Sequence, residues 1–362
     1  MRILIAPDSF KGTASATDVA IALAAGWTSI RPQDTVIVLP LADGGEGSAA
    51  AIRATDPDAE EIPCAATGPD GRPVSAGWLL LTDGTAIVEL AAASGLPQME
   101  IPDPLGAQTR GFGELLAAAT ENPRVRRIVA TVGGSAATDG GTGALSALGA
   151  RFLDADGRPL PAGGGSLSRL ATVDLAALTP PPGGGVEVLT DVTAPLLGRR
   201  GAAAVFGPQK GAGADDVEAL DAALTRLAAV IGGHPDQSGA GAAGGTAFGL
   251  ATLWSADLAA GARRIGEITG LPAALAGADL LITGEGRFDG QSTTGKVVGH
   301  LLESVARQRF LLVTGQLGAE PPDRIERTVE LSVLAGSGAQ AMQHTTHWLT
   351  RAGAELAGQI AD

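Results

Sequence analysis

The sequence predicts an α/β protein of two domains, in which both ends of the chain build one doubly wound parallel sheet and the middle folds as an insertion. Three observations carry this. Strand-like and helix-like stretches alternate from the start, turn-punctuated strands take over near residue 60, and clean alternation resumes near residue 270. With 362 residues and 45% apolar content, the chain is long enough to bury two cores.

The elements follow in order. Arg2-Ile3-Leu4-Ile5-Ala6-Pro7 is an apolar run of the kind that forms a buried parallel strand. Ser15 or Thr17 caps the next helix, in which Val19, Leu23 and Trp27 recur on one face. Residues 35–39 form a second strand that leads into Gly44-Gly45-Glu46-Gly47 and another helix. From about residue 60, Gly68-Pro69-Asp70-Gly71 and Asp83-Gly84 are turn signals between strands of an antiparallel meander. A helix over 112–120 precedes a strand over 128–132, a Gly-rich loop and a further helix. Residues 154–185, rich in Gly and Pro, read as irregular. Residues 279–283 and 310–314 are buried strands, and the last helix places Leu349, Leu356 and Ile360 on one face. Residues 1–60 and 262–362 thus form one discontinuous, flavodoxin-like domain, with 61–261 inserted.

Composition narrows the function. A formal net charge of −14, with no Lys/Arg cluster among aromatics, argues against a nucleic-acid partner. No apolar run approaches the ~18 residues needed to span a bilayer, so no membrane partner is expected. The single cysteine, Cys64, and an N-terminus without a charged, then apolar leader point to the cytoplasm. Only three lysines occur, Lys11, Lys210 and Lys296, and each has a glycine directly beside it, as suits a place where backbone approaches a ligand. Solvated surface lysines are the alternative.

In open α/β sheets ligands gather where strands end, and five such places carry chemistry. The first, Asp8-Ser9-Phe10-Lys11-Gly12-Thr13, sets a carboxylate three residues from an amine. The second, Asp43-Gly44-Gly45-Glu46-Gly47-Ser48, would let amides of Gly45 and Gly47 face an anion at a helix N-terminus, although ordinary capping explains both stretches as well. The third runs from Gly133 through Gly134, Ser135 and Thr138 to Asp139, Gly140 and Gly141. Its glycines, hydroxyls and carboxylate suit a phosphate cradle with a metal-reaching side chain, a flexible turn being the alternative. In the fourth, Asp191 is placed to act as a general base unless it only caps a helix, with Phe206-Gly207-Pro208-Gln209-Lys210-Gly211 following. The fifth, from Gly284 to Ser292, holds Glu285 and Asp289 in a Gly-rich loop near Lys296; they suit a hard cation, unless Glu285 pairs with Arg287. The stretch 290–297 mimics a P-loop but ends in Val297, which has no hydroxyl for Mg²⁺, and no complete dinucleotide fingerprint opens the first helix. His344 and His347 lack a ligand set around them and read as structural.

Taken in order, IAPDSFKGT, PLADGGEGS, ELAAASGL, TRGFGELL, VGGSAATDGG, DVTAPLLG, VFGPQKGA and ITGEGRFDGQS resemble the bacterial glycerate kinases that form 2-phosphoglycerate. The resemblance implies a flavodoxin-like domain and a mixed-sheet domain likened to restriction enzymes, with the active site in the cleft between them. It also implies ATP, Mg²⁺ and D-glycerate. Carried over, Asp8, Lys11, Ser48 and Arg110 would hold the glycerate carboxylate and hydroxyls, and Asp191 would be the base. Gly134, Ser135, Asp139, Glu285 and Asp289 would serve the nucleotide phosphates and metal, with Asp139 and Asp289 as metal ligands and Lys210 and Lys296 beside the cofactor. Thr138 and Ala194 stand where the family pattern carries Asn, so two amides that could orient a phosphate or hydroxyl are missing. Neither the position of transfer, 2 or 3, nor the oligomeric state follows from the sequence.

Overall fold

The structure, a computed structural model, describes residues 1–360. The chain divides into two compact units: Met1–Asp43, Ala50–Pro57 and the chain from Ala260 onward make the first, and Gly44–Ala49 with Asp58–Ala259 the second.

The first unit holds five strands, Arg2–Ile5, Thr35–Val38, Leu280–Phe288, Arg309–Leu317 and Arg327–Glu330, all parallel. Across the sheet they run second, first, third, fourth, fifth, which is the flavodoxin-like order. Both faces are covered, which is why the three central strands, Arg2–Ile5, Leu280–Phe288 and Arg309–Leu317, contain continuous buried apolar runs. Ile3, Ile5, Ile282, Leu311 and Val313 meet helices Ala16–Ile30 and Thr345–Gln359. On the other face Leu4, Leu281, Phe310 and Leu312 meet Gly261–Ile268, Leu271–Ala276 and Val297–Ser304. Ser15 is the cap of Ala16–Ile30, in a capping box with Asp18.

The second unit is built on a six-stranded mixed sheet in the order Asp257–Ala259, Val186–Leu189, Arg127–Thr131, Thr85–Glu89, Pro73–Leu80, Glu60–Thr67. The first four of these strands are mutually parallel, and the last two join antiparallel. The meander expected from the turn signals is thus confined to one edge. Helices Arg110–Glu121 and Ala214–Ile231 bury Phe112, Leu116, Leu224 and Leu227 in its core.

The structure departs from the sequence reading in three respects. Residues 154–185 are not wholly irregular, since Gly164–Arg169 forms 3₁₀ helix and Thr172–Asp174 pairs with Arg151–Leu153. The edge strands Asp257–Ala259 and Arg327–Glu330, three and four residues long, are too short and polar to show a period. The strand expected to stop at Thr283 continues to Phe288. No described helix is long and apolar enough to cross a membrane.

Candidate active site

In the first unit the sheet order reverses beside Arg2–Ile5 and Leu280–Phe288, and the carboxyl ends of these strands are where such a sheet collects ligands. A cavity of about 560 Å³ lies there, with Asp8, Lys11, Asp43, Glu285, Asp289 and Lys296 in its wall. The continuation of Leu280–Phe288 through the expected loop has a local cause. A Cβ at Gly284 would lie 2.7 Å from the Val313 carbonyl oxygen, and one at Gly315 only 2.3 Å from that of Gly286, so these glycines let two strands pair closely. Glu285 is therefore held in a strand, 7% exposed, and its Oε1 has no hydrogen-bond partner. The alternative pair with Arg287 does not form; Arg287 turns to Asp289 at 4.0 Å.

Burial pushes the Glu285 carboxyl up to about 7, with repulsion from Asp289 and Asp43 adding and the Ser292 hydroxyl and Lys296 opposing. Asp8 is pushed to about 7 by burial and by Asp43 and Glu285, against the Ser9 amide, 2.6 Å from Oδ1, and Lys11. Such crowding of carboxylates around an orphaned, buried oxygen fits a cation. Among the described residues no three His, Cys, Asp or Glu form a ready cage. Mg²⁺ does not require one, because it takes one or two carboxylates and completes its shell with water and phosphate.

The raised Glu285 pKa makes a stability prediction. A native pKa above the unfolded one means the folded state binds the extra proton, so stability falls as pH rises from about 4.5 to about 7 and stays lowered above. Glu285→Gln in chelator should therefore raise the unfolding temperature of the metal-free protein at pH 8 by about 5 °C and not at pH 4. Equal shifts at both pH values, by circular dichroism, would contradict the assignment.

In the second unit the parallel strands Thr85–Glu89, Arg127–Thr131 and Val186–Leu189 end beside the segment Gly44–Ala49. The Gly133 amide donates to the Gly44 carbonyl at 3.2 Å, and a Cβ at Gly133 would lie 2.4 Å from Gly45 Cα. The second and third motifs are thus pressed backbone to backbone. Gly133→Ala is expected to destabilise this unit by about 1–3 kcal/mol, measured by urea unfolding.

The anion that the Gly44–Ala49 segment holds is the chain's own. Glu89 accepts from the Gly47 amide at 2.9 Å and the Ala49 amide at 3.1 Å, and burial raises its carboxyl pKa while these amides oppose the rise. Ser48 has no exposed surface, and its hydroxyl donates to the Gly45 carbonyl at 2.6 Å, so it does not face a ligand.

Asp139, fully buried, accepts from the Thr109 amide and hydroxyl at 2.9 and 2.8 Å and from the Gly141 and Gly143 amides at 3.0 and 3.1 Å. Thr109 and Gly141 precede helices Arg110–Glu121 and Thr142–Ala147, so one carboxylate sits at two helix N-termini. With both oxygens taken, Asp139 does not fit the metal role expected for it; it organises the loop. Lys210 is likewise turned inward. Its Nζ donates to the Ala137 carbonyl, and burial lowers its pKa to about 8 against the attraction of Asp139. The Ser135 hydroxyl accepts from the Ala137 amide at 3.2 Å, and the Thr138 hydroxyl is buried without a partner. Gly134 is exposed at φ +76°, Asp191 is half-buried just past Val186–Leu189, and Arg110 is exposed and 3.0 Å from Glu114.

The glycerate kinase family model matches residues 3–361. The chain belongs to the glycerate kinase family. It is 43% identical to the Bacillus subtilis glycerate kinase, covering 82% of this chain and 79% of that one. It is 41% identical to the Escherichia coli glycerate 2-kinase, covering 89% and 86%. A solved Salmonella typhimurium LT2 structure assigned as glycerate kinase 2 superposes with a TM-score of 0.83 at 37% identity, covering 99% and 97%.

Asp43 opens the second strand-end motif but has no role assigned by the sequence, and Glu89 has none either, although the strand-end rule reaches it as the last residue of its strand. An acid there was not separable by pattern from one that only caps a helix.

Proposed function

We propose that the protein transfers the γ-phosphoryl group of ATP to D-glycerate, forming 2-phosphoglycerate by direct in-line attack. The observation that carries this is its likeness to the Escherichia coli glycerate 2-kinase over 89% of the chain. Asp191 accepts the proton of the attacking hydroxyl, and ADP leaves with the bridging oxygen's electron pair, so no covalent enzyme intermediate is needed. Lys11 and Lys296 offer cationic donors to phosphate or carboxylate from the cavity of the first unit, and exposed Arg110 offers a guanidinium fork. Asp8, its carboxyl near 7, exchanges hydrogen bonds with a substrate hydroxyl in either protonation state. Ser48, Asp139, Ser135 and Lys210 act by holding the Gly44–Ala49 and 133–141 segments in shape.

Mg²⁺ would be held by Glu285 and Asp289 and would neutralise charge on the phosphoryl oxygens. Phosphorus NMR of the purified protein with Mg-ATP and D-glycerate tests the reading. A 2-phosphoglycerate resonance supports it, a 3-phosphoglycerate resonance keeps the kinase and moves the position of transfer, and no product directs the search to other small hydroxy acids.

A further inference from the structure

We infer that the apolar end of the first unit's cavity, formed by Phe10, Leu331, Ala341 and Met342, is the subsite for the adenine base of the nucleotide. This rests on the reading of the protein as an ATP-dependent kinase and adds where the base lies. At about 560 Å³ the cavity has the volume of sites that take drug-sized ligands. A three-carbon acid fills only a small part of it. Glycerate also carries a carboxylate or hydroxyl on every carbon, so it has no surface that an apolar wall could recognise.

The wall is built for something flat and apolar at one end and charged at the other. Phe10, Leu331 and Ala341 belong to one buried apolar cluster, whereas Met342 is 65% exposed and borders the cavity. A large exposed thioether on a cavity wall adapts well to an aromatic ring face. Leu331 follows the fifth strand, Asp8 follows the first and Glu285 lies in the third. In the sheet order these lie two to three strand spacings apart, about 10–14 Å, which suits a nucleoside polyphosphate lying along the strand ends. Lys11 and Lys296 stand with the carboxylates, where the polyphosphate would lie, and Gln316 on the fourth strand brings an amide of the type that reads an adenine edge.

The test compares two ligands by calorimetry, ADP and inorganic tripolyphosphate, the second having the charge but no base. In Met342→Ser and in Ala341→Phe, ADP should bind about tenfold more weakly, the scale of losing or crowding an apolar contact, with tripolyphosphate affinity unmoved. The ATP KM should rise by the same factor and the glycerate KM should not. Met342 is exposed, so its variant folds even where the Ala341 variant does not. Unchanged ADP affinity in Met342→Ser, or equal losses for both ligands, would overturn the subsite. Glycerate phosphorylation with an unmoved ATP KM would overturn it while leaving the kinase reading intact. Selective loss of ADP binding in a protein that never phosphorylates glycerate would uphold the subsite and remove the substrate.

Discussion

Asp191→Asn is expected to lower kcat for glycerate phosphorylation by about 10²–10⁴-fold, the contribution of a general base. The amide keeps the shape of the carboxylate but cannot take the proton of the attacking hydroxyl, and Asp191 is only half-buried, so the fold should persist. The matched control is Asp8→Asn. Asp8 has a carboxyl at about 7, a value suited to proton acceptance at neutral pH, because burial and two neighbouring acids disfavour its charge. If Asp191 is the base, its variant loses turnover at all pH values while Asp8→Asn mainly raises KM. Near-normal turnover in Asp191→Asn, with loss of both kcat and the limb near pH 7 in Asp8→Asn, would transfer the role to Asp8.

Asp139→Ala is expected to destabilise the second unit by about 3–5 kcal/mol, enough to leave much of it unfolded at 37 °C. The substitution strands the Thr109, Gly141 and Gly143 amides in the interior and removes the anion shared by two helix N-termini. It also leaves the buried Lys210 ammonium without the carboxylate that offsets its desolvation. The double variant with Lys210→Met should therefore be less destabilised than the sum of the single changes. Additive losses in urea unfolding would show that the two groups are not coupled, and wild-type stability in Asp139→Ala would refute the structural role given to the carboxylate.

Much of the fold was legible because its signals are local. Runs such as 3–5 and 310–314 are buried on both faces, so composition alone marks them as parallel strands, and a cap at Ser15 or Thr17 marks a helix start, which the structure places at Ser15. Strand ends also direct attention to Asp8 and Glu285, which line the first unit's cavity, without any knowledge of the sheet. By itself the sequence determined the α/β class, the flavodoxin-like pattern at its two ends and the family.

The tertiary structure decided what the glycines and acids are for. A glycine lacks a Cβ whether a ligand or another strand comes close, so Gly133 and Gly284 look alike in sequence, yet one lies on Gly45 and the other beside Val313. Likewise an amide at a helix N-terminus donates to any anion. Glu89, 42 positions from Gly47, and Asp139, 30 positions from Thr109, fill places that read as phosphate cradles. Such partners are chosen by which strand ends meet in space, and no spacing along the chain encodes that, because the connecting segments can close over a wide range of lengths at little entropic difference.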